Sequence, residues 1–277
     1  MNLNELGNQL TDLPNTENIP TLFVGHGNPI NALYDNPFTQ ALNKIGNNLT
    51  KRTDIQAIMV VSAHWLTNGT FVSTKPNPET IYDFGGFPDE LFKIKYPAKG
   101  SPEFAQKVKE TSANIQTNND WGLDHGAWTI LKHLFPKAHL PVFQLSIDYH
   151  KPLSYHFELA KHLKALRQKG LLIIGSGNIV HNLKLSFQHF AKNDTTPADW
   201  AIEFDNWVKT KLNEHDFNAL THPESAGNSA KLSIPTPDHY IPLLYTLATA
   251  DPNETLSTLY EEVAFGGMSM RTIKIGN

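Results

Sequence analysis

A chain of 277 residues, 40% hydrophobic and only 18% charged, carries enough apolar material for a sizeable core, which excludes global disorder. Its 23 Lys+Arg against 27 Asp+Glu leave a net charge of −4, so no basic footprint recruits nucleic acid or an anionic membrane surface. With no cysteine there is no disulfide framework, thiolate nucleophile, Cys-ligated zinc or iron–sulfur cluster, and any metal falls to carboxylates and the 13 histidines.

Residues 1–19 read as an N-terminal extension ahead of a domain spanning 20–277. Leu3, Leu6, Leu10 and Leu13 give this extension the spacing of one short amphipathic helix. The N-terminus lacks the basic start and apolar run of a signal peptide, and no segment approaches the roughly 18 consecutive apolar residues of a membrane span. The expected location is therefore cytoplasmic.

A strand is expected at Ile19–Val24, ending at Gly25, and a second at Ile55–Ser62, rich in Ile and Val. Asn68–Gly100 is the longest irregular stretch, dense in Pro, Gly and aromatics, as in a binding loop. Helices are expected at Pro102–Ile115 and Ala127–Leu134, then a strand at Pro141–Ile147 and a helix at Ser154–Gln168 stopped by Gly170. A strand at Leu171–Ile174 and helices at Trp200–Leu212 and Tyr240–Ala250 follow, and Met268–Ile275 reads as a final edge strand. The strands are continuous rather than alternating apolar runs, as in a sheet covered on both faces. The order describes an α/β sheet flanked by helices in a single domain, with no internal repeat and no long linker.

Ligands of open α/β sheets gather beyond the carboxyl ends of the strands. Three strands here are followed by a histidine: Gly25-His26-Gly27, Ser62-Ala63-His64-Trp65, and Gly175-Ser176-Gly177-Asn178-Ile179-Val180-His181-Asn182. His125 and His239 fall at loop-to-helix junctions, in Asp124-His125-Gly126 and Pro237-Asp238-His239-Tyr240. One such histidine would read as a structural hydrogen bonder. Three at strand ends must lie near one another, and neutral imidazole is a common ligand of zinc, iron and copper. Three protein ligands with open positions is the pattern of a catalytic metal.

Competing motifs are weak. Gly175-Ser176-Gly177 lacks the third glycine of a dinucleotide turn and the Lys-Ser/Thr of a P-loop. Ser62 and Ser176 do not sit in Gly-x-Ser-x-Gly. Trp65, Trp121 and Trp128 read first as core. His133, His156, His162, His189 and His215 read as packing or surface residues, and His139, His150 and His222 as loop residues.

These pieces, with Tyr82-Asp83-Phe84-Gly85-Gly86-Phe87-Pro88, resemble the LigB-type (class III) extradiol ring-cleavage dioxygenases, and more closely their 4,5-DOPA dioxygenase extradiol branch. The similarity runs in order from about Pro20 to the C-terminus. It implies a sandwich around a central mixed sheet, and one Fe(II) or Zn(II) per chain. His26 and His64 match two metal ligands. His239 stands where the broader class has a glutamate ligand. His181 matches an acid/base histidine and is also a candidate fourth ligand, and His125 matches a substrate-contacting, catalytic histidine. Three neutral imidazoles leave a bound ion at its full +2 charge and suit zinc as well as iron. Asp238 is a competing carboxylate.

The implied reaction is cleavage of a small catechol, DOPA-like or otherwise, by O₂ to a muconic semialdehyde type product. The alternatives are a zinc-dependent hydrolase-type enzyme and a non-catalytic metal-binding protein on the same fold. The physiological catechol, the cleavage position and the oligomeric state stay open.

Overall fold

The computed structural model describes residues 15–277; the helix expected at Leu3–Leu13 lies outside them. Strand β1 (Thr21–Gly25) is followed by helix α1 (Pro37–Leu49), strands β2 (Ala57–Thr67) and β3 (Thr70–Ser73), helix α2 (Pro102–Thr111) and strand β4 (Ile115–Asn118). Then come α3 (His125–Leu134), β5 (Val142–Asp148), α4 (Leu153–Lys161), β6 (Leu171–Gly177), α5 (Leu183–Lys192) and α6 (Asp199–Asn213). The short helices α7 (Phe217–Leu220) and α8 (Asn228–Ser233) lead to α9 (Ile241–Ala248) and strands β7 (Leu256–Tyr260), β8 (Val263–Ala264), β9 (Met268–Ser269) and β10 (Thr272–Ile275).

Eight strands form one mixed sheet in the order β4-β3-β5-β2-β6-β1-β10-β7, and β8 pairs with β9 separately. The centre is parallel: β2 pairs with β5 and β6, and β1 with β6, with Val24 opposite Ser176 and Ser62 opposite Ser176 on the other side. All four central strands therefore end on one edge.

Each central strand is buried on both faces, which is why its sequence does not alternate. Leu22, Val24, Ile58, Val60, Leu172 and Ile174 pack with α1 and α3 on one side. On the other, Met59, Val61, Leu145 and Ile173 meet α2, α4 and α9, while Phe23 and Ile273 meet α6 and α9. Local signals fix the helix starts. Asn36 caps α1 in a reciprocal box with Thr39, its Oδ1 accepting from Thr39 N at 2.9 Å while Thr39 Oγ1 accepts from Asn36 N at 2.9 Å. The backbone then enters the helix through Pro37.

Two buried arginines tie loops to the sheet. Arg167 is wholly buried, with its guanidinium on Glu254 and on the carbonyls of Ile19 and Thr249, each at 2.7 Å. Arg271 forks onto Asp205, which also accepts from Ser269 Oγ at 2.6 Å.

Several expectations need correction. The helix expected to run to Ile115 stops at Thr111. Ser112 Oγ accepts from Asn114 N at 3.2 Å in a tight turn, which frees Ile115 to start β4 beside β3. The helix expected to reach Gln168 is α4 followed by a 3-10 turn, closed by Gly170 at φ 88°. Met268–Ile275 is not an edge strand. β9 turns away into its own pair, and β10 lies between β1 and β7, leaving β7 at the edge. β7 was missed because its half-buried residues alternate weakly. No helix among the described residues is long and apolar enough to cross a membrane.

Candidate metal centre

Five histidines meet above the carboxyl edge of the parallel strands. His26 follows β1 directly. Its backbone N–H donates to Gly177 O at 2.9 Å, so the loop is tied to the end of β6. Gly25 lies against the backbone of Met270, where a Cβ would sit 2.7 Å from a carbonyl carbon, and Gly27 takes φ 66°. These two positions need glycine for contact and conformation respectively.

His64 lies inside β2, three residues before its end, not beyond it. The β2–β5 register breaks between Val61 and Leu66, and this irregularity surrounds His64. Such a break re-aims a side chain that regular pleating would bury in the sheet. His125 opens α3. His239 precedes α9, and its carbonyl accepts from Asn178 N at 2.9 Å. His181 is held through its backbone N–H on Ser233 O at 2.9 Å.

The Nε2 atoms of His26 and His64 are 3.3 Å apart. Two imidazoles each about 2.1 Å from one ion would have this separation. The donor atoms of His26, His64 and His125 all lie within 4.8 Å of one another. Ring centres are 5.0 Å apart for His26–His64, 5.3 Å for His26–His239 and 5.0 Å for His64–His239. For His64–His125 the distance is 3.8 Å. His181 stacks face to face on His239, with centres 3.5 Å apart and planes 10° apart.

The Nδ1 atoms of His26, His125 and His239 have partners. Ser176 Oγ donates to Gly126 O at 2.6 Å, so it accepts from His26 Nδ1 at 2.9 Å, which assigns the proton to Nδ1 and the lone pair to Nε2. Asp83 accepts from His125 Nδ1 at 2.8 Å and from its backbone N–H at 2.9 Å, and lies 3.6 Å from His64 Nδ1. Asp238 holds His239 Nδ1 in the same way. The adjacent carboxylate therefore orients a histidine instead of competing with it. A buried network supports the floor. Asp124 accepts from Ser62 Oγ and Gln144 Nε2, both at 2.7 Å, and caps α3 through Ala127 N at 3.1 Å. Gly126 fits closely over Ser62 Oγ and the His64 ring.

Burial lowers the pKa of His26 and His239 well below the ordinary value, with the neighbouring histidines adding to it. The same causes bring His64 down to about 3, against the pull of Asp83, and burial brings His181 down to about 4. Burial would raise Asp83, but hydrogen bonds from His125 outweigh it and leave the carboxyl below its usual range. Asp124 moves upward because it is buried, with Asp83 adding to the rise. Neutral imidazoles with free Nε2 lone pairs, no cysteine and anchored Nδ1 atoms fit a divalent zinc- or iron-type ion.

A cavity of about 270 Å³ opens over this centre, walled by Pro29, Phe84, Phe87, Leu183 and Met268. Phe84 meets the His125 ring edge-on, with centres 5.4 Å apart. The long loop thus delivers Asp83 and two aromatics to the site. Trp65 and Trp121 stack on each other at 5.4 Å, and Trp128 Nε1 donates to Ile81 O at 2.9 Å. None of the three tryptophans lines the cavity.

All five expected histidines come together, whereas Asp83, Ser176 and Asp124 were not anticipated in these roles. Ser176 serves neither as a nucleophile nor in a phosphate-binding turn here but as the acceptor for His26 Nδ1.

Comparison with known proteins agrees with this constellation. A family model described as the catalytic LigB subunit of aromatic ring-opening dioxygenase matches residues 7–271. The chain is 43% identical over 268 residues to 4,5-DOPA dioxygenase extradiol of Escherichia coli (strain K12), covering 93% of this chain and 95% of that one. It is 34% identical over 265 residues to 4,5-DOPA dioxygenase extradiol of Beta vulgaris, covering 92% and 95%. A crystal structure of an uncharacterized protein from Escherichia coli K12 superposes with a TM-score of 0.77 at 40% identity, covering 93% of this chain and all of the other. The chain belongs to the LigB family of class III extradiol dioxygenases, in its 4,5-DOPA dioxygenase extradiol branch. It is an extradiol aromatic ring-opening enzyme.

Proposed function

We propose that the protein opens the ring of a catechol with O₂, beside rather than between the two hydroxyls, to give a muconic semialdehyde type product. The observation that carries this reading is the set of neutral, anchored histidines converging beneath an aromatic-walled cavity. We assign His26, His64 and His239 as the ligands of one Fe(II). Their ring centres form a nearly equilateral set of 5.0, 5.0 and 5.3 Å, which suits three imidazoles around one ion. Substituting His125 for His239 gives an uneven set, with 3.8 Å to His64. When bound, a divalent iron supplies a Lewis acid that lowers the catechol pKa and a redox centre for O₂.

The protein's own residues do the rest. His125, held by Asp83 with Nε2 free, accepts a catechol hydroxyl proton. His181 acts as the second acid/base group. An imidazole ligand binds through a lone pair in its ring plane, and the face-to-face stack on His239 places His181 over that ring rather than beside it on a shared ion. Its lowered pKa keeps it neutral near pH 7. Phe84 and Phe87 hold the aromatic ring and exclude water.

The test is oxygen uptake with a simultaneous visible spectrum, after anaerobic Fe(II) loading, on a panel of catechols including L-DOPA. Uptake with a yellow product is expected. Iron-loaded protein that consumes no oxygen with any catechol overturns the reading. The all-histidine donor set makes a zinc enzyme the second reading, and tightly held zinc with no iron-dependent turnover would establish it. His64→Ala should abolish both metal retention and turnover with the fold intact. His239→Ala should lose metal, whereas His181→Ala should keep it and lose about 10²-fold or more in kcat. The reverse pattern would exchange their roles.

A further inference from the structure

His26 and His239 share no strand or helix and lie near opposite ends of the chain, yet their loops meet at one buried side chain, Asn178. Asn178 follows β6, and its backbone N–H donates to His239 O at 2.9 Å. Its side-chain Oδ1 accepts from the N–H of Gly27, the residue after His26, at 3.3 Å. Its Nδ2 donates to Ser269 O at 2.7 Å. Ser269 belongs to β9, whose Met268 walls the cavity and bridges His181 backbone to backbone. The preceding residue, Gly177, accepts from His26 N at 2.9 Å and passes so close to His239 that a Cβ would lie 2.2 Å from its carbonyl oxygen. The chemistry at position 178 is therefore specific. One end of the side chain must accept and the other must donate, which a carboxamide does and a carboxylate or an aliphatic group does not. An aspartate would set its oxygen against Ser269 O, and an alanine would leave two buried backbone groups without their partner.

We propose that Asn178 is a positioning residue that fixes the spacing of His26 and His239, and so sets the affinity with which the centre holds its ion. The proposal rests on the assignment of His26, His64 and His239 as ligands. Such a constellation has to be held within about 0.5 Å of its working geometry. The anchors on the Nδ1 atoms turn each ring, whereas Asn178 sets the distance between the two loops that carry them. Through Ser269 it also ties that distance to the segment beside His181.

The experiment measures Zn(II) affinity of metal-free protein by competition with a chromophoric chelator, well below the melting temperature. Asn178→Ala and Asn178→Asp should each weaken zinc binding about 10–100-fold. Tyr245→Phe, which takes the hydroxyl from His156 Nδ1 away from the site, should lower the melting temperature and leave zinc affinity within about twofold. Lost stability alone is thereby separated from lost positioning. In a His239→Ala background, Asn178→Ala should weaken binding less than about twofold further, because the spacing it sets no longer matters. In a His125→Ala background it should cost its full factor. Wild-type zinc affinity in both Asn178 variants, or full additivity with His239→Ala, overturns the proposal. If Asn178→Ala does not fold, Asn178→Ser, whose shorter hydroxyl cannot span both partners, is read on the same criteria. His239→Ala protein that binds zinc as tightly as wild type would instead count against the ligand assignment, so the two failures are separate.

Discussion

Asp83 is one carboxylate serving two rings. It holds the Nδ1 proton of His125 at 2.8 Å and stands 3.6 Å from His64 Nδ1. In the proposed chemistry the histidine it touches directly is an acid/base group and the other a metal ligand. Asp83→Asn keeps the shape but lets the amide present N–H where an acceptor is needed. The expected result is a fall of about 10–100-fold in metal affinity or turnover, with thermal stability little changed. Metal titration and oxygen uptake on the same preparation would show it, and full activity would mean His125 needs no such anchor. Ser176 performs the equivalent task for His26 without adding charge. The site therefore orients its rings with two carboxylates and a hydroxyl, and only the carboxylates add negative charge.

At the level of elements, the site depends on how closely its supports approach. Gly46 of α1 lies against the backbone of Leu134 at the end of α3, where a Cβ would overlap the carbonyl oxygen. Gly46→Ala must push the two helices apart, and α3 carries His125 at its other end. A loss of about 1–3 kcal/mol is expected by denaturant titration, and an unchanged midpoint would mean that α1 moves freely. The strands that deliver His26 and His181 were legible in the sequence because double-sided burial makes them continuous apolar runs ending in glycine. His64 was legible as a residue but not as a bulge within β2, because a register break belongs to the pairing with β5 and leaves no local mark. The anchoring partners were hidden for the same reason. Asp83 and His125 are 42 positions apart, and Ser176 lies 150 from His26, so no spacing rule joins them. The reading of β10 as an edge strand failed because β7, on its outer side, carries too little apolar pattern to be seen.

For the whole molecule, buried neutral histidines make the metal-free fold sensitive to acid. His156, outside the site, lies on the buried face of α4 with Nδ1 3.2 Å from Tyr245 Oη and is lowered to about 4 by burial. His181 is lowered similarly and His64 further. Each takes up a proton more readily in the unfolded chain, where its pKa is about 6.5. The stability they allow is therefore complete above pH 6.5 and is lost as pH falls toward 4. Metal-free protein should show a melting temperature that falls steadily from pH 7 to pH 4.5. A flat profile over that range would show that these side chains are not held neutral.

The pairing of β1 with β10 on one side and β6 on the other has a consequence for synthesis. His26 leaves the ribosome early, but neither neighbour of its strand exists until much later, and His239 comes later still. At about 5–20 residues per second, His26 waits on the order of ten seconds or more for its companions. Under the proposed ligand set, a metal would be captured only after His239 has emerged and the sheet has closed around β1.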